Sequence, residues 1–225
     1  MPMDHVDQKK KSDRNQRPDG EVTYHRILDA AGALFAALGL AETTNKMVAM
    51  KAEVDLASIN YHFGSRNGLY QAALFEAHRR LIDQEGLQQL LLTNTTAREK
   101  LRAFIDMMVE NAIVEGGWYA RILSREILSP TSHFQTLQRA EFPAKMPLIL
   151  SILSEITEIP PDDPSLLRCL ISVMAPCAML LVVGPYAPPF ADEIYRMPKA
   201  ALVEHLYNFA LGGLEAIKQT QATIR

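Results

Sequence analysis

From Glu21 onward the chain follows a 3.6-residue hydrophobic period. Ile27, Ala30, Ala31, Leu34, Phe35 and Leu38 mark the apolar stripe of a first helix that Gly39 stops. Two short segments follow, about 45–53 and 57–63, and then a long pattern from Ser65 through Leu69, Ala72, Ala73, Phe75, Leu81 and Ile82 that ends near Leu92. Thr96-Ala-Arg-Glu99 fits a capping box and opens a helix that ends near Gly116-Gly117. A shorter helix follows over 118–128, and then a segment over 134–156 that Pro143 and Pro147 are expected to break or kink. Asp163 and Pro164 start an apolar helix over 166–183, stopped by Gly184-Pro185, and Pro198 starts the last one. No period-2 strand pattern occurs, so the expected fold is all-α: a three-helix N-terminal domain, then a larger C-terminal bundle, about nine helices in total. The expected boundaries are a basic, disordered tail over 1–20, a helix-turn-helix domain over 21–68, a long helix over about 66–92, and a second domain over 69–225.

Chemistry concentrates in Thr43–Tyr70, TTNKMVAMKAEVDLASINYHFGSRNGLY, where two short helices meet at a tight turn. This is the helix-turn-helix unit, whose second helix fits a major groove about 12 Å wide. Thr44 caps the first helix and can offer its hydroxyl to a phosphate; Asn45 and Lys46 stand in the first turn, where N–H groups attract anions. Val48, Ala49 and Ala52 point to the core, and Val54 and Ile59 seal the corner. That arrangement leaves Ala57, Ser58, Asn60 and Tyr61 outward, suited to base edges, a thymine methyl or a sugar edge. His62 and Arg66 are within reach of backbone phosphates, and Phe63 reads as core.

With Thr44, Val48-Ala49, Ala52, Val54, the run Ile59-Asn60-Tyr61-His62-Phe63, Ser65-Arg66 and Leu69-Tyr70 in order, the sequence resembles the TetR family of transcriptional regulators. Ile27–Leu40 is similar to that family's first helix, and the C-terminal part is similar to its CecR-like subgroup. The resemblance implies phosphate contacts at Thr44, His62 and Arg66, and groove-facing positions at Lys46, Ala57, Ser58, Asn60 and Tyr61. Two residues depart from the family pattern. Glu53 stands where the turn usually has Gly, and Asn60 where many members carry an aromatic.

A lone helix-turn-helix makes few base contacts, so a dimer on a palindromic site about 34 Å or more between recognition helices is expected. The apolar helix 166–183 and the last helix supply the candidate interface, with Leu170, Met174, Leu181, Leu202, Leu206, Phe209, Gly213 and Ile217 on it. Between the middle helices an effector pocket is expected. Phe104, Met107, Met108 and Asn111 on one helix, Trp118, Arg121, Ile122 and Arg125 on the next, and Met174 and Cys177 on the apolar helix are its candidate lining.

Composition narrows the partners. The 225 residues are 48% hydrophobic and carry net charge −3, balanced in both halves, so any DNA contact comes from a local arrangement of cations rather than bulk charge. In the tail, Lys9, Lys10, Lys11, Arg14 and Arg17 are either a solvated segment or an arm on phosphates. Cys169 and Cys177 stand eight residues apart on a helix, about 12 Å, too far for a bridge. No metal-ligand spacing, nucleophile motif or phosphate loop occurs, and no cofactor or enzymatic activity is expected. The apolar run Cys169–Val183 is shorter than a bilayer span, which favours a cytoplasmic protein without a membrane partner. The alternative reading is a helical homodimer that binds a ligand or a partner protein without DNA.

Overall fold

The computed structural model describes residues 7–113, 117–186 and 190–224. Eleven α-helices and no strands occur among them. The chain divides into two compact units, one up to Ala73 and one from Leu74 onward.

The first unit is built on α1 (Asp7–Glu42), α2 (Asn45–Ala52), α3 (Leu56–Phe63) and the start of α4 (Arg66–Leu81). Its core is the stripe that the period marks: Ile27, Leu28, Ala31 and Phe35 of α1 meet Val48 and Ala52 of α2, Ile59 of α3 and Leu69 of α4, all essentially buried. Phe35 meets Tyr70 edge-on at 4.9 Å, and Tyr24 stacks on Phe63 at 4.7 Å, so Phe63 packs as expected. The helical backbone begins at Asp7, inside the stretch expected to be disordered. Lys, Arg and Gln are good helix formers, and a run continuous with an amphipathic helix adds turns without a new nucleation cost. Residues 1–6 of the expected tail lie outside the described residues, as do the basic side chains singled out before Gly20. Gly39 interrupts α1 with φ 84°, ψ 173°, and the hydroxyl of Thr43 donates to its carbonyl at 2.8 Å.

The second unit comprises the rest of α4, then α5 (Gln84–Leu92), α6 (Ala97–Ile113), α7 (Trp118–Leu128), α8 (Ser132–Thr157), α9 (Ser165–Tyr186), α10 (Phe190–Arg196) and α11 (Lys199–Ile224). α6 packs against α8, α9 and α11, and α9 also against α7, α8 and α10. Arg98–Glu215 and Arg102–Glu204, each at 2.6 Å, tie α6 to α11 across the surface. The capping box forms reciprocally: Thr96 N–H donates to Glu99 Oε2 at 2.8 Å, and Glu99 N–H to Thr96 Oγ1 at 3.3 Å. Asp163 accepts the Ser165 N–H at 2.8 Å at the head of α9.

Several boundaries differ from the sequence reading. The long helix over about 66–92 is two helices, because Asp83 takes the Gly86 N–H at 2.8 Å and caps a new start. α8 continues through Pro143 and Pro147 without a break; both are exposed, so the carbonyls that they free lie on the solvent side. α9 starts at Ser165 and passes Gly184. Over Ser165–Val183 it is long and apolar enough, by length and composition, to cross a bilayer, yet it packs within this unit with Cys169 and Cys177 buried. Burial raises both thiols, Cys177 to about 11, so they stay protonated and inert. The α6 end expected at Gly116 and the turn at 187–189 lie outside the described residues.

The corner between α2 and α3 is made by Glu53 in the left-handed region, φ 53° and ψ 47°. Val54 N–H donates to Ala49 O at 3.0 Å and Glu53 N–H to Met50 O at 3.4 Å, the paired bonds of a Schellman cap that normally uses Gly. A Cβ in this region costs ~1–2 kcal/mol. Glu53→Gly is therefore expected to raise stability by about 0.5 kcal/mol, after the extra freedom of the unfolded chain is subtracted, and Glu53→Val to lower it by about 1 kcal/mol. Urea unfolding of the full chain measures both signs.

Candidate functional site

Two features of the chain are candidates for recognition chemistry: the α2–α3 corner in the first unit and a cavity in the second. At the corner each helix has its own side-chain cap. Thr44 Oγ1 accepts the Met47 N–H at 3.2 Å, as the sequence predicts. Asp55, which the sequence reading passed over, accepts both the Ser58 N–H (2.6 Å) and the Ser58 hydroxyl (2.7 Å) at the head of α3. These two bonds hold the Asp55 carboxyl below the usual carboxylate range, so the cap is charged at neutral pH. The Ser58 hydroxyl is thus committed to the cap, with its lone pairs left to accept.

With Ile59 buried, the opposite face of α3 looks to solvent. Tyr61 is 85% exposed, and Ala57 and Asn60 are exposed beside it. Thr44 and Lys46 on α2 are exposed as well, whereas Asn45 is half-buried, with Oδ1 buried and without a hydrogen-bond partner. His62 is half-buried, its ring edge-on to Tyr61 at 5.0 Å and to Tyr24 at 6.0 Å. Arg66 is exposed, but its Nη1 turns back to donate to Thr43 O at 3.3 Å and Ala41 O at 3.5 Å, at the C-terminal end of α1. A guanidinium at a helix C-terminus meets the orphan carbonyls and the negative end of the dipole. The structure therefore gives Arg66 a bracing role that its phosphate assignment did not include.

In the second unit a cavity of about 260 Å³ opens between the end of α4, α8 and α9. Phe142, Met146 and Ile149 line it from α8, and Leu170, Ile171 and Met174 from α9. Ile82 and two polar residues, His78 and Lys145, complete the wall. Lys145 is 4% exposed and donates to Glu141 Oε2 at 2.8 Å; its Nζ also lies 3.1 Å from His78 Nδ1. Burial drives the His78 imidazole down to about 4, the Lys145 charge pushes the same way, and Glu141 opposes them. His78 is neutral at pH 7, so Nδ1 accepts from Lys145.

Of the expected pocket lining, Met174 alone borders this cavity. Phe104, Met108, Ile122 and Cys177 are buried core, and Met107 is half-buried on α6. Asn111 Nδ2 donates to Leu81 O at 3.0 Å, and Trp118 lies under the Arg80 guanidinium at 5.5 Å. Arg121 is exposed and Arg125 half-buried, while Glu126, buried, accepts the N–H and hydroxyl of Thr131. Phe104, Met108 and Ile122 face the bundle interior, where other helices pack against α6 and α7. The cavity's own signal was the spacing of Phe142, Met146 and Ile149, one helical stripe interrupted by the prolines.

The expected dimer positions also separate. Phe209 and Gly213 are exposed, Leu202, Leu206, Ile217, Leu170 and Met174 half-buried, and Leu181 is core at 2%. Ile171 (66%) and Met179 on α9 are exposed though they were not named, and a Cβ on Gly212 or Gly213 would meet nothing.

Comparison with known proteins agrees with both units. Residues 27–73 match the family profile described as bacterial regulatory proteins of the tetR family, and residues 97–214 match that of the C-terminal domain of the HTH-type transcriptional dual regulator CecR. No curated protein sequence matches at a significant level. Among solved structures, the chain is similar to a TetR-like transcriptional regulator from Rhodococcus sp. RHA1 (19% identity, TM-score 0.64, covering 86% of this chain and 96% of that one). It is similar in fold to the fatty acid degradation regulator FadR from Bacillus halodurans (17%, TM-score 0.68, 85% and 96%). A third similar structure is the transcriptional regulator FadR from Bacillus subtilis in complex with stearoyl-CoA (15%, TM-score 0.67, 84% and 98%). With a helix-turn-helix unit of one profile and a helical unit of the other, the chain belongs to the TetR family of transcriptional regulators, its second unit being of the CecR type.

Proposed function

We propose that this regulator is a homodimeric, cytoplasmic repressor that binds a palindromic operator and leaves it when a small molecule occupies the second unit. The observation that carries the DNA part is the Tyr61 ring, fully outward on a recognition helix whose other side is sealed by Ile59. Tyr61, Asn60 and Ala57 read base edges and thymine methyls, with Ser58 accepting at the groove. Thr44, Asn45, Lys46 and His62 meet phosphates at the first turn of α2 and the end of α3. Arg66 holds the end of α1 and offers its remaining N–H groups to the backbone.

Exposed apolar residues on α9 and α11 support dimerisation. Ile171 and Phe209 are both about two-thirds exposed, and Gly212-Gly213 lets a second helix approach. The FadR structure with stearoyl-CoA supports a small-molecule effector in a unit of this fold. Release then requires the effector to prefer the conformation that does not bind DNA; a ~100-fold drop in operator affinity needs about 2.7 kcal/mol of such preference.

Selection of bound DNA from a random pool is expected to recover a palindrome. Affinity for it should fall by about 10³-fold or more between 50 and 200 mM salt, as six or more phosphate contacts per dimer release counterions. Tyr61→Ala should cost about 10- to 100-fold in specific binding and leave non-specific binding within twofold, whereas Arg66→Ala should weaken both, as electrophoretic shifts on selected and scrambled DNA would show. Phe209→Glu with Ile171→Glu should give a particle of single-subunit mass in sedimentation and cut operator affinity at least 100-fold. A Tyr61 variant with unchanged sequence discrimination would refute the assigned face.

A further inference from the structure

The cavity beside α4 has an unusual electrical character for a wall that includes a lysine and a histidine. Their polar atoms turn to one another and to Glu141: Lys145 Nζ is 2.8 Å from Glu141 Oε2 and 3.1 Å from His78 Nδ1. The His78 ring stacks on Phe142 at 5.7 Å. One cation, one anion and a neutral imidazole sum to zero, and what faces the cavity is the alkyl stem of Lys145 and the carbon face of the His78 ring among seven apolar residues.

Charge argues against an ionic occupant from both sides. An anion drawn to Lys145 would have to displace Glu141 and then sit beside the carboxylate that it displaced. A cation would meet Lys145 itself. The cleft of about 610 Å³ that also borders Lys145 gives no help to an anionic head group. It carries four carboxylates (Glu76, Asp83, Glu85, Glu141) against three cations, and Glu76 already binds Arg79 at 2.5 Å and Arg80 at 2.8 Å. A polyphosphate there would meet net negative charge.

Size sets the second limit. A dry cavity of about 150 Å³ takes benzene, so one of about 260 Å³ holds roughly ten non-hydrogen atoms, two fused rings or a chain of similar bulk. A long acyl chain would leave most of its length outside the cavity.

We propose that this cavity is the effector site and that its ligand is a compact, uncharged, apolar molecule of about ten non-hydrogen atoms, with ionised carboxylates and long acyl thioesters rejected. The proposal rests on the reading of the chain as an effector-responsive regulator and adds the chemical class of the effector. Binding comes from apolar burial against Phe142, Met146, Ile149 and Met174, with no ion pair exchanged.

Calorimetry on the full chain without DNA tests it with three probes: naphthalene, 1-naphthoate and hexadecanoyl-coenzyme A. Naphthalene should bind at least tenfold tighter than either of the others, with affinity changing less than twofold between 50 and 500 mM salt. Met174→Trp, which fills the cavity, should weaken naphthalene at least tenfold in a protein whose circular dichroism is unchanged. Should that variant not fold, the probe comparison and the salt series decide alone. Absence of naphthalene binding, or equal or tighter binding of 1-naphthoate or hexadecanoyl-coenzyme A, overturns the proposal. If naphthalene binds as expected but leaves the affinity for the selected operator unchanged, the ligand class stands and effector-controlled release falls.

Discussion

The angle between α2 and α3 depends on one residue's backbone. Glu53 must hold a positive φ so that Val54 N–H reaches Ala49 O, and only then does Ile59 turn into the core beside Val48. Because Ile59 is fixed inward, Tyr61 is fixed outward, since two positions along a helix are about 200° apart around its axis. The outward face of α3 is therefore a consequence of core packing: it is whatever the buried face leaves over. The Asp55 cap adds to this by committing the Ser58 hydroxyl before any ligand arrives. A short helix of eight residues is marginal by itself, and here it is held by a cap at one end and a single buried isoleucine in its middle.

The second unit solves a different problem, that of burying a lysine. Lys145 is 4% exposed, and an unpaired ammonium at such a depth would lose its proton or unfold the site. Glu141, one turn back on the same helix, and His78 on α4 take its hydrogen bonds. The histidine can do so only while neutral, and burial keeps it neutral. The cluster is thus a polar pin between α4 and α8 whose charge is spent internally, which is why the neighbouring cavity is apolar in spite of it.

Much of this was legible in the sequence, for identifiable reasons. Periodicity located the core of the first unit, because each apolar position there faces one interior, and Thr44 and the Thr96–Glu99 box announced themselves through local hydrogen bonds between near neighbours. The left-handed Glu53 was readable as a departure from a pattern that favours Gly. What escaped depends on long-range geometry. His78 and Lys145 are 67 residues apart, and no spacing rule joins them. Arg66 was read as a surface cation because its carbonyl partners lie 23 and 25 residues earlier. The pocket lining expected on α6, α7 and α9 rests on Met and aromatic stripes, which mark core and cavity alike; only packing distinguishes a filled interior from an empty one.

α4 is where the two problems meet. It begins at Arg66, which braces the carbonyls at the end of α1, and twelve residues later it presents His78 to the cavity wall. Within the second unit, a ligand in the cavity would pack against the His78 ring and the apolar residues of α8 and α9. The pin limits how this can work. Lys145 donates to Glu141 and to the neutral His78 ring, so a ligand that broke these bonds would lose their energy, whereas one that only fills the apolar space beside them leaves the pin intact. An uncharged occupant is thus the kind that can bind without exchanging any of the cluster's hydrogen bonds.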